Sequence, residues 1–339
     1  MTILLVELAG IGDAVLSTPV IRNLRSFFPD AYIGYLTLPH PAELMCKSPY
    51  LDEIYVLHKG IDFFYNLSVL RRLRRLNIDT LINLYQLYTK SGILKMALLS
   101  NFLKAKIKVG RDTDGKSFFY DIKVTDYLSS ERHDVEYKLD LLEAMGCNVK
   151  DKQLELWLDD SDIQDAREFL ENNSITNSDI LIGIHPGAHR LSRRWDWRNF
   201  AAVADELAKR YKARIIITGS KKDQGLAKQI CLKMSNQPID ASGRFSLTQL
   251  GALIKRCNLY IANDTGLMHI ANALKKPLVA IMGSGSMKTS PYQKENCIVI
   301  KKDVECSPCY KFKCRDLKCL RRITVEEVIE AADKLIQKR

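Results

Sequence analysis

The hydrophobic pattern of the first half of the chain alternates between two periods. TILLVEL, AYIGYLTL, EIYVL (53–57) and DTLINLY are short apolar runs of strand length. Between them lie segments with helical spacing. Residues 14–27 form one, with Pro19 in a bend or first turn. LSVLRRLRRLN is another, with Leu67, Leu70, Leu73 and Leu76 along one side, and a third covers about 92–103. Alternating strand and helix predicts βαβ units and a mostly parallel sheet. Residues 110–135 have no apolar run and read as irregular. A helix follows over 135–146, then a stretch rich in Asp and Asn with a helix near 161–172.

The second half restarts the pattern. DILIGIHPG, RIIITGS, LYIANDTG and PLVAIMG read as strands running into turns, and WRNFAAVADELAKRY, LTQLGALIKRC and HIANAL as helices. The last helix, about 324–337, has Thr324 as N-cap and Glu327 three residues on. The boundary between the halves falls between about 150 and 178, giving an N-terminal domain of residues 1–160 and a C-terminal one of 175–339. In such α/β sheets ligands bind beyond the strand carboxyl ends, so the turns there are where chemistry is expected.

The first of these turns is GIGD, Gly10 to Asp13. It lacks the third glycine of a dinucleotide fingerprint, because Val15 stands there, so hydride chemistry is weakly supported. It also ends in a carboxylate, which repels phosphate. Asp13 is either a helix cap or a base beside a cleft. As a base it would be kept ionised by the helix start, at some loss of basicity. In HPGAHRLSRRW, Arg193 and Arg194 could neutralise a diphosphate, against the plain reading of a solvated basic loop; Trp195 and Trp197 read as packing residues. In TGSKKD, Asp223 could bond a ribose or simply shape a surface turn. NDTGLMHIA is the most informative stretch. There Asp264 could accept bonds from sugar hydroxyls, Thr265 and Gly266 open a helix whose N–H groups can hold phosphate, and His269 follows one turn in.

Charge narrows the partners only partly. A net charge of +11 favours anionic ligands, whether nucleotides, nucleic acid, anionic lipid or phosphorylated glycans. The basic residues are dispersed rather than interleaved with aromatics on one face, which argues against nucleic acid. LRRLRRL, with Arg71, Arg72, Arg74 and Arg75, reads as a solvated helix face or as a patch for an acidic acceptor or lipid headgroups. No uncharged apolar run reaches the ~18 residues needed to cross a bilayer. Residues 1–21 lack a basic start and are broken by Glu7 and Asp13. A cytoplasmic protein able to touch a membrane surface is expected.

Five of the nine cysteines are scattered, which argues against a secreted disulfide framework. The other four, Cys306, Cys309, Cys314 and Cys319, could hold a structural zinc or iron–sulfur cluster, or be free thiols or disulfides. Asp112 with Asp114, and Asp160 with Asp162, form D-x-D tripeptides that lie in polar linker sequence and read as chance.

GIGDAVLSTPVI, HPGAHRLSRRWDWRNFAAVADEL and NDTGLMHIANALKKPLVAIMG, in that order, resemble the ADP-heptose:lipopolysaccharide heptosyltransferases of glycosyltransferase family 9. The resemblance covers most of the chain, including the CSPCYKFKC end. It implies a GT-B fold: two Rossmann-like doubly wound α/β domains facing across a cleft, acceptor on the first and nucleotide sugar on the second. It also implies an inverting transfer of heptose from ADP-heptose to the inner core of lipopolysaccharide at the inner face of the cytoplasmic membrane, with no cofactor needed for the chemistry. By motif, Asp13 is the general base in the acceptor-side loop with Gly10 and Gly12. Arg193, where relatives usually have Lys, steadies charge on the diphosphate, with Arg194 beside it. Asp223 resembles the ribose contact, Asp264 the heptose contact, Thr265 and Gly266 the phosphate cradle, and His269 a further donor contact. The chain departs from the pattern at Glu7, where many relatives have Arg, and in the loop SGSMKTSPY. A relative acting on another nucleotide sugar or glycan is the alternative.

Overall fold

The computed structural model describes residues 1–60, 62–309 and 311–338. The chain divides into two compact units, Met1–Trp157 and Leu158–Arg339. The helix Asp160–Asn172 lies in the second, where it packs on the helix Leu247–Arg256.

Each unit is built on a six-stranded sheet in which every pairing is parallel. The first contains β1 (Thr2–Glu7), β2 (Tyr32–Thr37), β3 (Glu53–Val56), β4 (Thr80–Asn83), β5 (Ile107–Thr113) and β6 (Ile122–Asp126) in the order β3-β2-β1-β4-β5-β6. The second contains β7 (Leu181–His185), β8 (Arg214–Ile217), β9 (Ile239–Asp240), β10 (Leu259–Asn263), β11 (Leu278–Met282) and β12 (Cys297–Lys301) in the order β12-β11-β10-β7-β8-β9. In both, the chain starts at a central strand, runs to one edge, then returns to the centre and runs to the other. Strand order therefore reverses between β1 and β4, and between β7 and β10. These are the positions where a doubly wound sheet opens to a ligand.

Alternate residues of each strand build the cores, as the two-residue strand period requires. Leu4, Val6, Leu36 and Leu81 pack against Leu73 of the helix Phe63–Arg74 and Ile93, Met96 and Leu103 of the helix Lys90–Leu103. In the second unit Ile182, Ile184, Ile215, Ile217 and Ile261 pack against Phe200, Val203 and Leu207 of the helix Trp197–Tyr211 and Val328 of the helix Val325–Gln337. At the carboxyl edge the pattern changes. Glu7, Thr37, Asn83, Asp126, His185, Thr218 and Asn263 are polar and yet buried. Such groups are ordinarily hydrogen-bonded within the protein, and they frame both candidate sites.

Some expectations are corrected. Residues 110–135, read as irregular, contain most of β5 and all of β6. Their apolar signal is broken by Arg111 and Asp126, which are buried as partners rather than exposed. Within β5, position 110 is held to glycine because a Cβ there would lie 2.2 Å from the Tyr120 ring. The helix expected over 14–27 is two, Ile11–Leu16 and Thr18–Phe27, with Pro19 in the first turn of the second. Among Leu67, Leu70, Leu73 and Leu76, only Leu73 is fully buried, and that helix starts earlier, at Phe63. Among the described residues, no helix is long and apolar enough to cross a membrane.

Candidate functional site

β1 delivers the chain to Gly10, the N-cap of the helix Ile11–Leu16. Gly10 N–H donates to Asp13 Oδ2 at 2.9 Å, and a Cβ on Gly10 would sit 3.3 Å from that oxygen. Asp13 thus caps its own helix and is also half-buried at the switch point. Burial pushes its carboxyl above the ordinary aspartate value, Lys138 pulls it down, and Asp134 raises it again. Desolvation and the helix start act in opposite directions on this carboxyl.

Beneath the turn lies a buried charge network that the sequence did not reveal. Glu7, at the end of β1, is fully buried and paired with Lys138, which is fully buried on the helix Asp134–Glu143. Lys138 Nζ also donates to the Leu84 carbonyl at 3.0 Å and lies 3.6 Å from Asp134 Oδ2. The Ser17 hydroxyl reaches Glu7 Oε2 at 3.0 Å and the Asp13 carbonyl oxygen at 2.8 Å. Further back, Arg111 pairs with Asp134, with Asp126 at 2.9 Å, and stacks 4.6 Å from the Tyr137 ring centre. The one sequence signal was available: Val135, Lys138, Leu139 and Leu142 follow the helical i, i+3, i+4, i+7 rule, so a lysine stands in an apolar stripe.

Burial pushes the Glu7 carboxyl up to about 7, with Lys138 opposing and Asp13 and Asp134 adding to the rise. A carboxyl raised from 4.5 to about 7 on folding favours the native state fully below its unfolded value. That contribution is lost as pH rises through about 7. Stability measured by chemical denaturation should therefore fall between about pH 5 and 7, and Glu7→Gln should flatten that slope.

The second cluster surrounds the β7–β10 switch point. Asn263, at the end of β10, donates to the Pro186 carbonyl at 2.8 Å and accepts from Trp195 N–H at 3.1 Å. This buried amide ties the HPG turn to the arginine loop, a role not apparent from its neighbours in NDTG. Trp195 is buried against Phe200, its indole N–H donating to the Ile323 carbonyl, as expected of a packing residue. The anchored loop brings Arg193 to Asp264: NH1 lies 3.1 Å from Oδ1, with the carboxylate buried and the guanidinium partly exposed. Arg194 binds the Ala188 carbonyl at 2.8 Å and lies 3.3 Å from Asp223 Oδ1. Asp223 is buried and also accepts from Ser220 N–H at 3.0 Å and the Ser220 hydroxyl at 2.7 Å. Gly187 and Gly219 close over it, since a Cβ on either would approach it to 2.9 Å or less.

Thr265 is the N-cap of the helix Gly266–Ala273, yet its hydroxyl makes no capping bond, and Oγ1 is buried with no hydrogen-bond partner among the described residues. His269 is buried in the second turn of that helix. A residue the sequence did not flag is Gly285, in the loop after β11: a Cβ there would lie 1.9 Å from Asp264 Oδ2. Gly285→Ala must move Asp264 or the loop, and is expected to remove about 1–3 kcal/mol of stability. A denaturant midpoint would measure the loss.

Of the alternatives open for the four cysteines, a structural metal finds no support and free thiols are what the structure holds. Cys306 is exposed, Cys309 and Cys314 are partly exposed, Cys319 is buried, and all four are free. Among the described residues, no group of three or more His, Cys, Asp or Glu is arranged to hold a metal ion. The segment instead backs the second cluster. Ser307 Oγ donates to the Gly283 carbonyl at 3.1 Å, Cys309 N–H to the Ser284 carbonyl at 2.9 Å, and Ser192 Oγ to the Lys311 carbonyl at 2.6 Å. Neither D-x-D tripeptide forms a ligand pair: Asp112 accepts from Ser117 N–H, and Asp162 accepts from the Thr248 hydroxyl.

Residues 66–320 match the family described as glycosyltransferase family 9 (heptosyltransferase). Lipopolysaccharide heptosyltransferase 3 of Escherichia coli is 26% identical over 338 residues, 96% of each chain. Lipooligosaccharide heptosyltransferase 2 of Campylobacter jejuni subsp. jejuni serotype O:2 is likewise 26% identical, again over 96% of both. Among solved structures, the glycosyl transferase family 9 protein from Veillonella parvula DSM 2008 has a TM-score of 0.83 at 27% identity, covering 100% of this chain and 98% of that one. The E. coli ADP-heptose lps heptosyltransferase II has a TM-score of 0.78 at 21% identity, with 100% and 99% covered, and shows the shared GT-B fold.

Proposed function

We infer the reaction from one premise: this chain belongs to glycosyltransferase family 9, the heptosyltransferases, and is a glycosyltransferase. The proposed reaction is transfer of heptose from ADP-heptose to the inner core of a lipopolysaccharide, with inversion. The N-terminal unit takes the acceptor and the C-terminal unit the nucleotide sugar. Asp13 accepts the proton of the acceptor hydroxyl, whose oxygen forms a bond to the anomeric carbon. The bond from that carbon to the diphosphate breaks, and ADP leaves with the electron pair.

The observation that carries this reading is the state of Asp13. Its carboxyl is half-buried at a switch point, and burial makes it a stronger proton acceptor than an exposed aspartate. The second cluster supplies the complement. Arg193 is assigned to the diphosphate, where preformed positive charge would stabilise the departing group without a metal. Arg194 stands beside it, and Thr265 with the N–H groups from Gly266 onward form the phosphate cradle. The buried Thr265 hydroxyl supports that assignment. Asp264 and His269 are assigned to the sugar and Asp223 to the ribose. Peripheral contact with an anionic membrane is assigned to the helix Phe63–Arg74, where exposed Phe63 and Phe64 precede Arg71, Arg72 and Arg74.

Release of ADP, followed with ADP-L-glycero-D-manno-heptose and a Kdo-lipid A acceptor, tests the proposal. Release that needs both substrates supports it. Turnover only with another donor or glycan would reassign the substrates within the family. No turnover by folded protein with any of them would overturn the reading.

A further inference from the structure

The buried charges beneath the Asp13 turn have no assigned part in the reaction. Lys138 is wholly buried, whereas lysine is almost never so unless paired. Its neighbours on the same stripe, Val135, Leu139 and Leu142, are apolar, so packing alone does not call for a cation there. Burying an ion pair is often no better for stability than filling the space with hydrocarbon. The placement of this pair is specific. Nζ is fixed by Glu7, the Leu84 carbonyl and Asp134, which come from the end of β1, the segment after β4 and its own helix. Two of these three anchors lie at the strand ends that open the first switch point. The Ser17 hydroxyl joins Glu7 to the Asp13 backbone, tying the pair to the helix that carries the base.

We propose that Lys138 is a positioning residue for Asp13: its ammonium, clamped by Glu7, Asp134 and the Leu84 carbonyl, sets the electrostatic field in which Asp13 takes up and releases a proton. The proposal rests on the reading of Asp13 as the base. The groups acting on Asp13 can be named element by element. Gly10 N–H bonds it from its own turn. Glu7 faces it from β1, and Lys138 and Asp134 act on it from the helix Asp134–Glu143. The Asp13 charge in turn acts on the buried Tyr35 phenol of β2. Arg111 and Asp126 form an outer pair held through Asp134. One cation thus stands among three carboxyl groups. Without it, burial and the Asp134 charge would act on Asp13 opposed only by backbone N–H groups such as that of Gly10, and would keep it protonated to higher pH. Without Asp134, the cation would act more strongly on Asp13, and its proton would leave at lower pH.

The test is a carboxyl-carbon NMR titration of the full chain labelled at aspartate, with the Asp13 signal identified by its loss in Asp13→Asn. It is run on the unsubstituted chain, Lys138→Met and Asp134→Asn, beside the pH profile of kcat/KM. The Asp13 midpoint is expected to rise by about one pH unit or more in Lys138→Met and to fall in Asp134→Asn. The acid limb of the activity profile should follow each. An unmoved midpoint in folded Lys138→Met would overturn the proposal, because a structural pair would change only stability. Should Lys138→Met fail to fold, Asp134→Asn decides: a lower midpoint supports the proposal and an unchanged one overturns it. A midpoint that moves while the acid limb stays fixed would support the field at Asp13 and overturn its reading as the base.

Discussion

Asp13→Asn should lower kcat by about 10²–10⁴-fold, the range for loss of a positioned general base, while leaving the melting temperature and nucleotide-sugar affinity nearly unchanged. The amide keeps the shape of the carboxylate, and its oxygen can still accept from Gly10 N–H, as Oδ2 does at 2.9 Å. The start of the helix Ile11–Leu16 is therefore preserved and only proton acceptance is removed. Steady-state kinetics and a thermal melt separate the two roles of the residue. A helix cap that does nothing else would show a small change in stability and an unaltered kcat.

Arg193→Ala should lower kcat by about 10²–10³-fold, comparable to removing one preorganised contact to a developing negative charge. Arg193 reaches its position because its loop is held on three sides. Asn263 fixes the Trp195 N–H, Ser192 bonds the Lys311 carbonyl, and Asp264 holds the guanidinium at 3.1 Å. Arg193→Lys keeps the charge but loses the planar fork, so an intermediate loss is expected. The ion pair also predicts coupling. Arg193→Ala and Asp264→Asn together should lose less activity than the product of the single losses, because each acts partly through the other. Independent effects in single-turnover kinetics would show that the two residues serve separate parts of the donor.

The sequence carried the architecture well because the central strands are short, apolar and separated by helices of clear period. TILLVEL, DTLINLY, DILIGIHPG and LYIANDTG became β1, β4, β7 and β10, the strands at the two switch points. The turns that follow them were visible for the same reason. Most of what stayed hidden was polar and buried, although β12, an apolar and only partly buried run, was missed as well. β5 and β6 were obscured by Arg111 and Asp126, whose charges cancel in the fold but look like solvent-exposed residues in a chain. β9 is only two residues long and had no run to detect. Lys138 was masked by the expectation that a charge in a helix faces water, although its place in the stripe marked it as internal. Gly285 became meaningful only through the carboxylate beside it, from a different turn. Within the sites, residue types and order were legible. The pairings Arg193–Asp264 and Arg194–Asp223 were not, because contacts between separate strand-end loops leave no pattern along the chain.

The most direct test of the central claim is structural analysis of the product formed from ADP-L-glycero-D-manno-heptose and a Kdo-lipid A acceptor, by mass and by NMR of the new linkage. The account predicts an acceptor heavier by one heptose, joined with anomeric configuration opposite to that of the donor. An acceptor left unmodified by folded protein, or a linkage that retains the donor's configuration, would contradict it.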